Sequence, residues 1–163
     1  MILLQIFDIK DTMTWLLMRD GFDRFFLEEA QVTTFASVVF EGRRNMGWYD
    51  SKEREAYPDM PEYVYWKEAK PFLFSYIKGK KVPTSFRLSL KLSAEETVKK
   101  LGEGMAGQDV DFLIHFRFER GKLSAVTGCN YRSFTMEKQA EFAWDRAAQE
   151  MLRELNIGFE KGN

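Results

Sequence analysis

Between Asp111 and Tyr131 every second residue turns to one side, on both flanks of an Arg120-Gly121 pair. Phe112, Ile114, Phe116 and Phe118 alternate with Leu113, His115 and Arg117 on the first flank. Leu123, Ala125, Thr127, Cys129 and Tyr131 alternate on the second. A period of two is the signature of a strand with one buried face, and Arg-Gly between two such runs fits a two-residue hairpin. Ser85 to Leu92 repeats the pattern, with Phe86, Leu88, Leu90 and Leu92 facing inward and Ser85, Arg87, Ser89 and Lys91 outward. Hairpins with one-face alternation belong to antiparallel or mixed sheets, so this chain must place something on one face of a sheet and leave the other.

Helical signals supply the covering layer. Trp66, Ala69, Leu73, Tyr76 and Ile77 fall at helical spacing and predict a helix over about 62–78, stopped by Gly79 and kinked at Pro71. Ala140, Trp144, Ala147, Met151 and Leu155 form one stripe of an amphipathic helix over 136–155. Ser93 with Glu96 reads as a capping box for a short helix through Leu101. Asp11 is the expected N-cap of a helix through Thr12–Arg19, with Gly21 ending it in the left-handed conformation.

Ile2–Phe7 reads as a buried strand. Phe25–Phe40 reads as one long strand bulged near Val32–Thr34; the alternative is two strands joined by a turn that no Gly, Pro or Asn signals. Gly42–Pro61 reads as a surface loop with a short strand at Met46–Tyr49. The expected class is α+β: an antiparallel or mixed sheet with helices packed on one side, in a single domain spanning 1–160. The order strand, helix, strand, strand occurs over Ile2–Gly42 and again over Phe86–Arg132, which suggests an internal duplication at the level of pattern alone.

The charge pattern is uneven. From Pro61 to Leu92 seven basic residues stand against two acidic ones, +5, while the whole chain carries −1. Lys78, Lys80 and Lys81 at a helix end, with Arg87 and Lys91 on the outward face of the next strand, are the candidate anion-binding residues, only a short loop apart. Cations at a helix C-terminus and on an outward strand face also have ordinary roles, dipole compensation and protection of edges. The near-neutral total argues against a protein that coats a nucleic acid.

Catalytic chemistry finds little support. Gly102–Gly107 matches a dinucleotide-binding glycine pattern, but it follows a predicted helix and precedes a strand, the reverse of the required order. Pro58-Asp59 with Glu68 and Lys70 has a nuclease-like look, but on a helix residues two apart point in different directions. His115 and Cys129, each the only one of its type, fall on opposite faces of the predicted hairpin. One histidine and one cysteine leave too few nitrogen and sulfur ligands for zinc. The acidic pairs Asp8/Asp11, Glu28/Glu29 and Asp109/Asp111 lack calcium-loop spacing, although magnesium or calcium needs only oxygen ligands. No catalytic residue, metal or cofactor is expected.

No apolar run approaches the roughly 18–20 residues that span a bilayer. Met1–Ile9 lacks a basic leader, and the lone cysteine suits a reducing compartment, so a cytoplasmic protein with no membrane role is expected. The leading reading is a binding module for a protein partner or for itself. Nucleic acid or another polyanion on residues 67–91 is the second, and an oxygen-ligated metal enzyme the third.

Several stretches carry a family resemblance. Phe22-Asp23-Arg24-Phe25, Thr33-Thr34-Phe35, Tyr65-Trp66-Lys67-Glu68, Lys70-Pro71-Phe72, Ile77-Lys78-Gly79-Lys80, Thr127-Gly128 and Ala143-Trp144-Asp145 resemble an uncharacterised bacterial family, a domain of unknown function found mainly in Gram-positive anaerobes. The resemblance covers most of the chain and implies a cytoplasmic bacterial protein, with no activity to carry over. The repeated strand-helix-strand-strand order and the run Gly121-Lys122-Leu123-Ser124 are similar, more distantly, to sliding-clamp domains. The Ser93–Leu101 helix departs from them, because Lys99 and Lys100 are balanced by Glu95 and Glu96.

Overall fold

The structure is a computed structural model, and it describes residues 1–79 and 81–162. In chain order it runs β1 (Leu3–Ile6), α1 (Ile9–Leu17), β2 (Phe26–Thr33) and β3 (Ser37–Glu41). A 3₁₀ turn at Met46–Trp48 leads to α2 (Ser51–Ala56) and α3 (Trp66–Ile77). Then come β4 (Ser85–Lys91), α4 (Ala94–Leu101), α5 (Glu103–Ala106), β5 (Val110–Glu119), β6 (Lys122–Tyr131), α6 (Gln139–Glu154) and β7 (Phe159–Lys161).

The seven strands form one sheet in the order β3-β2-β4-β5-β6-β1-β7, antiparallel at every pairing. The β5–β6 hairpin closes with Glu119 opposite Lys122, around Arg120 and Gly121 at φ 53° and 74°. Two positive φ angles in a two-residue loop match the right-handed twist of the flanking strands, and glycine takes the second at no steric cost. Leu4, Leu27, Ala30, Phe86, Leu88, Leu90, Ile114 and Phe116 turn to one face and join buried side chains of α1, α3 and α6 in one core cluster. Trp66 and Trp144 are its largest members. Each indole N–H is answered by a main-chain carbonyl, Leu16 for Trp66 at 2.6 Å and Leu113 for Trp144 at 2.7 Å. An indole N–H buried without an acceptor carries a desolvation cost, which these two avoid.

The other face carries Gln31, Arg87, Ser89, His115, Arg117, Ser124 and Val126, all half-buried or exposed. The expected α+β architecture, a sheet covered by helices on one side, is therefore the one observed.

Several local expectations give way. The cap of α1 is Asp8, whose carboxylate accepts from the Asp11 N–H at 2.9 Å; Asp11 lies inside the helix. The helix ends at Met18, and Gly21 does not take a positive φ. Phe25–Phe40 is two strands, with a three-residue turn at Thr34–Ala36 and a bulge at Glu28 instead of Val32–Thr34. That turn is held by its surroundings. The Thr33 and Ser37 hydroxyls meet at 2.8 Å, and the Tyr76 hydroxyl of α3 donates to the Ala36 carbonyl at 2.7 Å. Met46–Tyr49 is a 3₁₀ turn rather than a strand, and Gly42–Pro61 contains α2, closed by a capping box between Asp50 and Glu53. Helix α3 begins at Trp66 with Pro71 inside it, and α6 begins at Gln139.

The strand-helix-strand-strand order does occur twice, as β1-α1-β2-β3 and, with the one-turn α5 added after α4, as β4-α4-α5-β5-β6. The pairings differ, however. β4 sits between β2 and β5, whereas β1 sits between β6 and β7.

Candidate functional site

The basic block does not stay together. Lys78 caps the C-terminal end of α3 and Lys81 follows it, while Lys80 lies outside the described residues. Arg87 projects from the open face of β4, on the side away from α3. Lys70 donates to the Arg19 carbonyl at 2.9 Å and pairs with Asp23. Lys91 is on the outward face, as its alternation requires, yet only 9% of it is exposed. Residues 63–65 run alongside the start of β2 and lay Tyr63 over it, so that the Lys91 ammonium is 3.5 Å from the ring centroid. Outward on a strand does not mean in water when another segment crosses above. The expected single surface of Lys78, Lys81, Arg87 and Lys91 is thus divided between two faces.

Lys78 and Lys81 instead share the rim of an apolar cleft of about 720 Å³ between α1, the end of α3 and the β5–β6 turn. Ile9, Met13 and Leu17 recur four residues apart along α1 and make one wall; Phe74 and Ile77 of α3 make the other. Val82 and Pro83 border it, with Met18 and Val82 well exposed. Lys10 joins the two lysines, no carboxylate lines the cleft, and none of the three forms an ion pair among the described residues. Sequence periodicity marks the α3 stripe, Ile77 included, as core; it contains no signal that part of it borders a cleft.

A second cleft, of about 490 Å³, opens beside Arg44, Tyr49, Tyr57 and Glu68. Its one buried cation is spent. Arg44 Nε donates to the Pro61 carbonyl at 2.8 Å, and Nη1 to the Tyr49 hydroxyl and Glu68 Oε1, both at 3.0 Å. Nη2 donates to Glu68 Oε2 at 2.9 Å and to the Tyr63 carbonyl at 3.4 Å. Five donors meet five acceptors, which leaves none for a ligand. Burial would raise the Glu68 carboxyl, but hydrogen bonds from Arg44 and the Tyr65 N–H outweigh it and hold the group below its ordinary value. Arg44 therefore ties the 42–65 segment to α3. Glu68 and Lys70 have separate structural partners, which takes apart the nuclease-like arrangement.

On the open face, Ser89 Oγ and His115 Nδ1 are 2.7 Å apart across β4 and β5. The other ring nitrogen, Nε2, lies over Gly128, where an added Cβ would be 3.5 Å away. A nucleophile–base device needs a third group orienting the imidazole. Glu28 on the bulge has one buried carboxylate oxygen without a hydrogen-bond partner, and it makes no hydrogen bond to the ring among the described residues. Burial depresses the His115 pKa below its ordinary value, with Glu28 opposing, which favours a neutral ring. Cys129 pairs with Phe112 and faces the other way. Burial first, then Glu141 and Asp145, pushes its thiol up to about 11, so it is not a thiolate at neutral pH.

The glycines after α4 end one helix and begin another, with Gly102 at φ 90° between α4 and α5. Among the described residues no group of three or more His, Cys, Asp and Glu side chains is placed to hold a metal ion, and no helix is long and apolar enough to cross a membrane.

The model of a family of unknown function, DUF5721, matches residues 15–160, and the chain belongs to that family. No curated protein and no solved structure matches it.

Proposed function

We propose that this member of the DUF5721 family is a binding module that takes an acidic, amphipathic segment of a partner protein into the cleft between α1 and α3. The carrying observation is the combination of apolar walls with three rim lysines that have neither ion-pair partners among the described residues nor a carboxylate beside them. Ile9, Met13 and Leu17 offer a ridge one helical repeat apart, the spacing against which a helix presents anchors at i, i+4 and i+7. A volume of about 720 Å³ suits two or three apolar side chains, within the roughly 300–1,000 Å³ of binding clefts. Lys10, Lys78 and Lys81 select acidic flanks and reject basic ones by charge complementarity. This reading keeps the protein partner as the ligand. It turns two cations of the basic block into its specificity determinants, in place of a surface for nucleic acid.

Fluorescence anisotropy with two synthetic peptides tests it. One is an amphipathic helix with leucine anchors and glutamate flanks; the other has every glutamate replaced by lysine. The acidic peptide binds at least tenfold more tightly, a difference of about 1.4 kcal/mol. Val82→Asp, on an exposed rim residue, abolishes binding while leaving the melting temperature in place. Lys78→Glu with Lys81→Glu inverts the preference. Equal affinity for the two peptides overturns the reading, and tighter binding of labelled duplex DNA than of the acidic peptide replaces it with the polyanion alternative.

A further inference from the structure

The sheet ends differently at its two edges. β7, at one edge, has three residues, of which Glu160 and Lys161 are charged and exposed. Shortness and charge are the usual guards against edge-to-edge pairing. β3, at the other edge, has five residues, Ser37-Val38-Val39-Phe40-Glu41, with no proline, no lysine and one charge at its end. Its register with β2 is continuous, without a bulge to twist the edge away. Apolar side chains flank it on both faces of the sheet. Val39 on the open face is 52% exposed and Phe35 in the preceding turn 96%. On the helix side Phe72 of α3, 66% exposed, stacks on Phe40 with 6.3 Å between ring centroids.

The main chain of this edge is open too. The Thr34 N–H donates to the Ala36 carbonyl and the Gly42 N–H to the Glu28 carbonyl, both at 3.0 Å. Antiparallel ladders alternate, so these bonds set the phase. Ala36, Val38, Phe40 and Gly42 turn their main-chain groups to β2, and Ser37, Val39 and Glu41 turn theirs outward. The outward row is complementary to itself. Turned about a two-fold axis at Val39, it sets Val39 opposite Val39 of the other copy and Ser37 opposite Glu41. Each such pair exchanges two hydrogen bonds, and no acid meets an acid. On the helix side Val38 comes opposite Phe40, whose ring already carries Phe72, so apolar surface meets apolar surface in both halves.

We propose that β3 pairs with β3 of a second copy of this chain, giving a closed two-fold dimer with one sheet running through both copies. Neither β3 nor Phe35 nor Phe72 lines the α1–α3 cleft, so this inference and the peptide-binding reading stand or fall separately.

Sedimentation equilibrium over a range of protein concentrations reads the dimer directly. The parent chain shows a monomer–dimer equilibrium and no larger species. Val39→Pro removes an N–H that points away from β2, so the ladder within one chain is untouched while the bonds at the axis are lost. The dimer dissociation constant rises about tenfold or more. Val39→Lys and, separately, Val39→Glu set like charges opposite each other at the axis and do the same. An equimolar mixture of Val39→Lys with Val39→Glu dimerises again, because lysine then faces glutamate. That recovery requires both variants to be folded, so misfolding cannot imitate the pattern. A parent chain that stays monomeric up to its solubility limit overturns the proposal, as does a dimer undiminished in Val39→Pro and Val39→Lys. A mixture that stays monomeric overturns the two-fold register, and assembly without limit overturns the closed dimer.

Discussion

Gly42 is the position where one methyl group should do most damage. It is buried beside the start of β2, where its N–H donates to the Glu28 carbonyl at 3.0 Å and its carbonyl accepts from Val64 at 2.8 Å. A Cβ added there overlaps the Leu27 carbonyl group, which is backbone and cannot swing aside. The 42–43 segment must then separate from β2. That movement breaks the two Gly42 hydrogen bonds and strains the Leu27 N–H to Val64 carbonyl bond, at 2.8 Å. At a net value of about 1 kcal/mol each, three bonds cost about 3 kcal/mol, a large share of the roughly 5–15 kcal/mol that holds an ordinary domain together. Equilibrium urea unfolding followed by tryptophan fluorescence reads this directly. With a slope of about 2 kcal/mol per molar, Gly42→Ala lowers the midpoint by about 1.5 M at unchanged slope. Gly104→Ala is the control. Nothing lies within 4 Å of its added Cβ, and it sits in α5, so removing backbone freedom stabilises by about 0.5–1 kcal/mol. A Gly42→Ala midpoint within about 0.3 M of the parent would refute the steric argument and show that the 42–65 strap moves freely.

Two further predictions concern the core and the strap. Trp144→Ala costs about 3–5 kcal/mol through the cavity it leaves, and Trp144→Phe costs about 1–3 kcal/mol by leaving the Leu113 carbonyl without its donor. Urea midpoints check both, and unchanged midpoints would mean that the indole is not the anchor of α6. Glu68 has a depressed pKa when folded, so its contribution to stability is present above the unfolded value and is lost as pH falls through the folded one. Glu68→Gln is therefore less stable than the parent near pH 7, and the gap narrows below about pH 4.5. Urea unfolding at a series of pH values measures it, and a gap independent of pH would exclude a charged Arg44–Glu68 bond as its source.

Much of the sheet was legible because its signals are local. The hairpin register, the inward faces of β4, β5 and β6, and the separation of His115 from Cys129 all follow from alternation and one turn dipeptide. The β2–β3 turn was not legible, because Thr34-Phe35-Ala36 has no intrinsic turn preference. Its shape is imposed by Tyr76, forty residues downstream. The surroundings of the lysines were hidden for the same reason. Alternation places Lys91 outward correctly, but only the path of residues 63–65 decides that it is covered. Helical periodicity marks Ile77 as inward-facing, but only packing reveals the cleft between it and Met13.

The position of β1 sets an order of events. Leu3 pairs with Val126 and Leu4 with Lys161, so β1 has both its neighbours more than a hundred residues further along the chain. The β5–β6 hairpin closes a two-residue loop and gains its contacts early; closing the long loop back to β1 carries a larger entropic cost before any pairing rewards it. Until then β6 presents a bare edge, and Leu4 and Ile6 remain without cover. Two nascent chains side by side could trade first strands at that stage, and the rate of β1 docking against the local protein concentration decides whether they do.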